Sequence, residues 1–186
     1  MVQWYADLAA TLDEVWQRLG RGVADAKSAA RHPTLATIGP DEAPRLRTCV
    51  LRAASRTGAH LDVHSDVRAG KIDEIRARPR VSLHVWDARA NLQLRLGGAA
   101  AILTGDAVAD IWRAVPTKAR SNYGGAPAPA TPLDDPSDHD AEIDPGCFAV
   151  VRTTLDAIET LHLGQDRHRR AVFEAATGWR GRWLAP

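Results

Sequence analysis

The stretch Arg47-Thr48-Cys49-Val50-Leu51-Arg52, followed twelve residues later by His64-Ser65-Asp66-Val67-Arg68-Ala69-Gly70-Lys71, decides how this 186-residue chain is read. Residues 45–53 alternate in strand fashion, Leu46, Thr48 and Val50 on one side and Arg45, Arg47, Cys49 and Leu51 on the other. Arg47 and Arg52, five apart, then project to opposite faces of one extended strand unless a bulge intervenes. A turn at Ser55–Gly58 leads to a strand over His60–His64. Ser65-Asp66 reads as the N-cap of a helix from Ala69 to Arg78, closed by Pro79. The start of a helix, with free N–H groups, a hydroxyl and cations beside it, suits a phosphate. Arg68 and Lys71 read equally as solvated helix charges, but positive charge in a first turn opposes the helix dipole, and an anion relieves that conflict.

Working outward, Thr34–Ile38 reads as a strand ended by the turn Gly39–Glu42. Before it, Trp4, Leu8, Leu12, Val15, Trp16 and Leu19 share one face of an amphipathic helix, with Gly20 and Gly22 as stop signals and a second short helical turn around Val23–Ala30. Together they form an N-terminal helical segment over residues 1–30. After Pro79, Val81–Trp86 and Leu92–Leu103 are strands, the second carrying Gly97-Gly98 as a bulge or close approach. Asp106–Val115 reads as helical. Residues 124–146 hold five prolines, three glycines and six acids and read as a long flexible loop. Cys147–Thr153 and Leu155–Leu163 are two further strands, and Val172-Phe173 with Trp179–Leu184 close a hairpin around Thr177-Gly178. Six or seven strands with little β-α-β alternation predict a single mainly β (α+β) domain, an antiparallel barrel with helical additions. No glycine-rich phosphate loop follows a strand, which disfavours a parallel nucleotide-binding sheet.

Composition excludes several classes. Net charge is +1, from 24 basic and 23 acidic residues, and no aromatic platform interleaves with the basic Arg167–Arg170 run, so nucleic acid is not expected. No apolar run reaches the ~18 residues of a membrane span and no signal pattern opens the chain, so a cytoplasmic location is expected. Cys49 and Cys147 stand far apart without metal-ligand spacing, which predicts neither a disulfide scaffold nor a metal site. No catalytic triad or carboxylate pair stands out; His32, His60 and His84 read as structural or surface histidines.

Five motifs in order resemble one family: residues 47–52 and 64–71 above, Arg-Pro-Arg-Val-Ser-Leu-His-Val-Trp at 78–86, Gln-Leu-Arg-Leu-x-Gly at 93–98, and the ending Gly-Trp-Arg-Gly-Arg-Trp-Leu-Ala-Pro. They are similar to the pyridoxamine 5'-phosphate oxidase-like FMN-binding split barrels, well over residues 30–103 and more loosely over 147–186. The resemblance implies a six- to seven-stranded antiparallel split β-barrel and a homodimer with FMN at the subunit interface. It places Arg47, Thr48, Cys49, Val50, Leu51 and Arg52 along the flavin, and Arg47 against its ring or ribityl chain. His64 and Ser65 match a Tyr-Thr pair near the ribityl phosphate, Lys71 matches the phosphate lysine, and Gln93 matches a glutamine supplied by the other subunit. The family's phosphate arginine falls at Gly70, with Arg68 as a substitute able to fork onto the same dianion.

The substrate side departs further. The vitamin B6 oxidases' Tyr, Arg and Ser fall at Arg113, Thr117 and Ser121, so only the serine is kept. Their flavin-contacting Trp and Arg fall at Leu161 and Ala171. Their Arg-x-His falls at Arg167-His168-Arg169, although a one-residue slip aligns His168 or Arg170 instead. The resemblance therefore implies a branch of unsettled substrate rather than the B6 oxidase itself. Ser121, Arg167 and Arg169 are its substrate candidates, with Arg167–Arg170 either a solvated basic hairpin or a cationic lip that selects a small anionic substrate. Three readings stay open: an FMN-dependent oxidoreductase transferring hydride to flavin N5, a flavin carrier or sensor without turnover, and a barrel that has lost FMN or uses haem or a deazaflavin.

Overall fold

The computed structural model describes residues 3–186; Met1 and Val2 of the N-terminal segment lie outside the described residues. Helix α1 (Leu8–Ala24) starts at Asp7, whose side chain accepts from Ala10 N at 2.8 Å, and buries Leu12, Val15, Trp16 and Leu19 as their spacing requires. Gly20 and Gly22 do not stop it. Gly22 instead admits the returning chain, since a Cβ there would stand 2.7 Å from the carbonyl of Ala30. The short helical turn expected around 23–30 is the single 3-10 turn Ala29–Arg31, after α1 has run on to Ala24.

The strands are β1 (Thr34–Ile38), β2 (Pro44–Thr48), β3 (Leu51–Ser55), β4 (His60–Asp66), β5 (Arg80–Asp87), β6 (Leu92–Leu103), β7 (Phe148–Leu163), β8 (His168–Glu174) and β9 (Gly181–Leu184). Among the described residues nine strands form one antiparallel sheet, against the six or seven expected, in the order β2-β1-β5-β6-β7-β4-β3 with β8 and β9 continuing from β7, and their hydrogen-bond path does not close on itself. The expected strand over residues 45–53 is two strands in different ladders: β2 pairs with β1 and β3 with β4. The crossing is at Cys49-Val50, where Cys49 N donates to Pro33 O at 2.9 Å. Conversely, the two strands expected over 147–163 are the single 16-residue β7. It pairs with β6 along most of its length, with β4 through Phe148–Thr154 and with β8 through Ala157–Leu163. The Gly97-Gly98 register shift lies on the β6–β7 seam.

Helix α2 (Gly70–Ala77) lies between β4 and β5 and sends Ile72 and Ile75 into a core shared with Leu35, Leu83, Leu94 and Leu96. Ser65 and Asp66 do not cap it. They end β4, and the N-cap is Ala69, which has no side-chain bond to offer. A smaller core of Val108, Val115, Tyr123, Phe148 and Val150 forms where α3 (Ala109–Ala114), preceded by the 3-10 turn Gly105–Val108, covers the outer side of β7; α4 (Thr117–Arg120) follows. Residues 126–146 are irregular apart from 3-10 turns at Pro136–Asp138 and Pro145–Cys147 and one bridge, Ala126 to Asp140. No helix among the described residues is long and apolar enough to cross a membrane, and no three His, Cys, Asp or Glu residues among them gather to hold a metal.

Candidate functional site

β2 and α2 together build a charged cluster. Arg45 and Arg47, two apart on β2, turn toward α2 and converge on Glu74, at 3.3 Å from Arg45 Nη1 and 2.7 Å from Arg47 Nη2. The Thr37 hydroxyl donates to Glu74 and accepts from Arg47. Burial pushes the Glu74 carboxyl up, but the Thr37 hydroxyl and the arginines outweigh it and hold it below the usual range. Lys71 sits one turn earlier on α2, half-buried, and donates to no described residue. Burial lowers its pKa, Arg47 adds to that, and Cys49, Asp66 and Glu74 oppose it. The buried Cys49 thiol is pushed up by burial and pulled back by Lys71 and Arg47.

Arg68 is held differently. Its Nε and Nη2 fork onto the Asp66 carboxylate at 3.0 and 2.7 Å, and Nη2 also donates to Gly125 O at 2.9 Å. Asp66 further accepts from Gly124 N at 3.2 Å, so the start of the 124–146 loop is tied to the end of β4. Burial alone would raise the Asp66 pKa; the Arg68 and Gly124 bonds bring it down. The substitute for the missing phosphate arginine thus has its charge already paired, with only Nη1 uncommitted. Ser65 is buried and donates to Asp66 O at 2.9 Å.

The rest of 47–52 scatters. Thr48 is exposed, Val50 half-buried, and Leu51 lies fully in the core. Arg52 leaves the other five and faces a separate cavity of about 470 Å³ between the β3–β4 face and α3, shared with His64, Asp62, Ile111 and Val115. His64 packs edge-on against Phe148, and burial, aided by Arg52 and opposed by Asp62, lowers its pKa to about 4. Arg52 and Lys71 are the half-buried cations to which no carboxylate or carbonyl is bonded among the described residues; the others, such as Arg31, Arg120 and Arg152, all have one.

The remaining candidates stand apart. Gln93 pairs across to Leu161, eleven positions along β7 from Val150, the partner of His64; at ~3.3 Å per residue that is roughly 35 Å of strand. Arg167 is exposed, and Arg169 is paired with Asp166 at 2.6 Å and lies 4.8 Å over the Tyr5 ring. Arg170 is held by Glu159 at 2.9 Å. The Ser121 hydroxyl donates to Lys118 O at 3.1 Å and meets none of these arginines. Sequence reasoning missed Glu74 and Tyr123. Glu74 was signalled by its i+3 spacing from Lys71 on one short helix; Tyr123, a buried loop residue whose hydroxyl bonds the Arg52 guanidinium, had no local signal.

Residues 10–104 match the model of the family described as pyridoxamine 5'-phosphate oxidase, FMN-binding domain. No curated protein matches. Among solved structures, a pyridoxamine 5'-phosphate oxidase-related FMN-binding protein of Nostoc punctiforme superposes with TM-score 0.77 at 21% identity, over 94% of this chain and 96% of that one. PhzG of Burkholderia lata, crystallised with tetrahydrophenazine-1-carboxylic acid, gives 0.76 at 17% over 100% and 98%. A general stress protein 26-related protein of Clostridium acetobutylicum gives 0.61 at 10% over 92% and 98%. At these identities the neighbours establish the fold, a split-barrel arrangement, and nothing finer. The family match spans more than half of the sequence: this chain belongs to the pyridoxamine 5'-phosphate oxidase FMN-binding domain family.

Proposed function

We propose that the protein is a homodimeric FMN-dependent oxidoreductase acting on a small anionic substrate. The family's cofactor is FMN, and the residues present fit it. The observation that carries the reading is Lys71, a half-buried ammonium with no partner among the described residues, beside the start of α2 where none of their side chains caps the first amides. A phosphate monoester supplies the charge and the acceptors that this position lacks. Lys71 and the first amides of α2 would hold it, with Arg68 Nη1 at its edge. Glu74 fixes the Arg47 guanidinium, and Thr48, Cys49 and Val50 offer the β2–β3 crossing alongside. When bound, FMN supplies two-electron, hydride-accepting chemistry. The chain's part is to bind and orient it and to set the charge around it.

A second copy of the chain completes this reading. One protomer cannot bring Gln93 to the His64–Lys71 end, since the β6–β7 ladder separates them. Gln93 lies on the outward face that also carries Leu46, 67% exposed, and Trp86, 44% exposed, and this face bounds a groove of about 660 Å³ floored by Ala36, Ser82, Gly97 and Ala157. Such apolar exposure suits an interface.

Purified protein should carry a flavin band near ~450 nm. Lys71→Met should raise the FMN Kd about 10- to 100-fold, as a charged hydrogen bond to phosphate is lost. Anaerobic addition of NAD(P)H or of amine substrates should bleach the band, and air should restore it. A flavin never reduced by any donor overturns the oxidoreductase reading in favour of a carrier; unchanged FMN affinity in Lys71→Met overturns the phosphate assignment.

A further inference from the structure

The second unpaired half-buried cation, Arg52, supplies a further inference. Among the described residues its Nε is buried without a partner, and the guanidinium meets the Tyr123 hydroxyl. A buried guanidinium N–H left without an acceptor is costly unless a ligand completes it. We propose that the cavity it faces binds a monocarboxylate with an apolar body, and discriminates against a phosphate ester. This rests on the oxidoreductase reading and narrows its substrate class, because Arg52 and His64, which the family resemblance sets beside the cofactor, both line the cavity.

The charges around the cavity settle the preference. Asp62, buried in its wall, is neutralised by Arg152, which forks onto it at 2.9 and 2.7 Å. Asp110 at the rim is paired with Arg113. His64 is uncharged at neutral pH. One cation, Arg52, is therefore left over, enough for a single negative charge. A dianion would leave its second charge without a cation to meet it, and Asp110 already occupies the first turn of α3. Ile111, Ala114, Val115 and Ala53 make the remaining wall apolar, and about 470 Å³ accommodates a one- or two-ring body. The basic run at Arg167–Arg170, by contrast, spends Arg169 on Asp166 and Arg170 on Glu159.

The test is calorimetric titration of the purified dimer or monomer, with and without added FMN, using benzoate and phenyl phosphate as probes. Benzoate should bind at least tenfold more tightly than phenyl phosphate. Arg52→Gln should weaken benzoate at least tenfold, and Arg52→Lys should keep most of the affinity. Ala114→Trp, on the exposed opposite wall, should block benzoate with Arg52 intact, which covers the case of Arg52→Gln failing to fold. Phenyl phosphate binding as well as benzoate, no benzoate binding, or parental benzoate affinity in Arg52→Gln or Ala114→Trp each overturns the proposal. Failure to take up FMN shows in the visible spectrum and counts against the cofactor assignment, independently of the benzoate result.

Discussion

At the scale of single residues, the site is governed by which charges are already spent. Arg47, Arg68, Arg152 and Arg169 each hold a carboxylate, so their presence in the sequence overstates what they can offer a ligand. His64 makes the same point for titration. Its pKa falls from 6.5 to about 4 on folding, so between those values the unfolded chain takes up a proton that the folded chain refuses. Stability from this group is therefore fully present above 6.5 and is lost as pH falls toward 4. The loss reaches about 2 kcal/mol at pH 5. His64→Gln removes the titration: the urea-derived stability difference between parent and variant should shift by about that amount from pH 7.5 to 5. A difference that stays constant over that range contradicts a neutral, half-buried imidazole.

At the scale of elements, one seam explains both a prediction and what the sequence could not disclose. Gly97 and Gly98 are adjacent, yet a Cβ on Gly98 would lie 2.1 Å from Thr154 O, whereas one on Gly97 meets nothing nearer than 3.8 Å. The contact at Gly98 is backbone, which cannot rotate away. Gly98→Ala should cost about 1–3 kcal/mol in urea unfolding and Gly97→Ala less than about 0.5; equal effects would place the β6–β7 register shift elsewhere. The glycine pair was legible as a bulge or close approach, and β6 was read to its correct ends, because alternation and glycine report local geometry. Partnership is not local. Residues 45–53 alternate without interruption, so nothing in the pattern marks the change of ladder at Cys49-Val50. Residues 147–163 read as two strands because the pattern slips near Leu155, although β6 follows β7 on both sides of that slip. Ser65-Asp66 carried a cap signature, yet Asp66 is used instead by Arg68 and Gly124, a tertiary demand that overrides the local one. The candidate site was legible in the same uneven way. Lys71 was found from its place beside a helix start, while the Glu74 clamp and the isolation of Arg52 depend on contacts made across the fold.

At the scale of the whole molecule, the distances along β7 turn the location of Gln93 into a statement about assembly. A protomer that holds FMN at Lys71 leaves its own Gln93 at the far end of the β6–β7 ladder, so in the proposed homodimer Gln93 would reach the cofactor from the second copy's outward face. That face is grooved where its central positions are small (Ala36, Ser82, Gly97 and Ala157), with Leu46 and Trp86 exposed on the same face. Leu46→Glu puts a carboxylate on β2 where the side chain touches little of its own chain. It should therefore leave the monomer's stability within about 0.5 kcal/mol of the parent. In a dimer it buries two charges related by symmetry, which association does not tolerate without partners. Sedimentation should show the parent at twice the 20.1 kDa chain mass and Leu46→Glu at the chain mass. FMN affinity should fall along with the dimer and recover as protein concentration is raised, because the lost contacts come from the partner. A variant that becomes monomeric yet holds FMN like the parent would show that the cofactor needs one chain only, and Gln93 would then lose its assigned role while Lys71 kept its own.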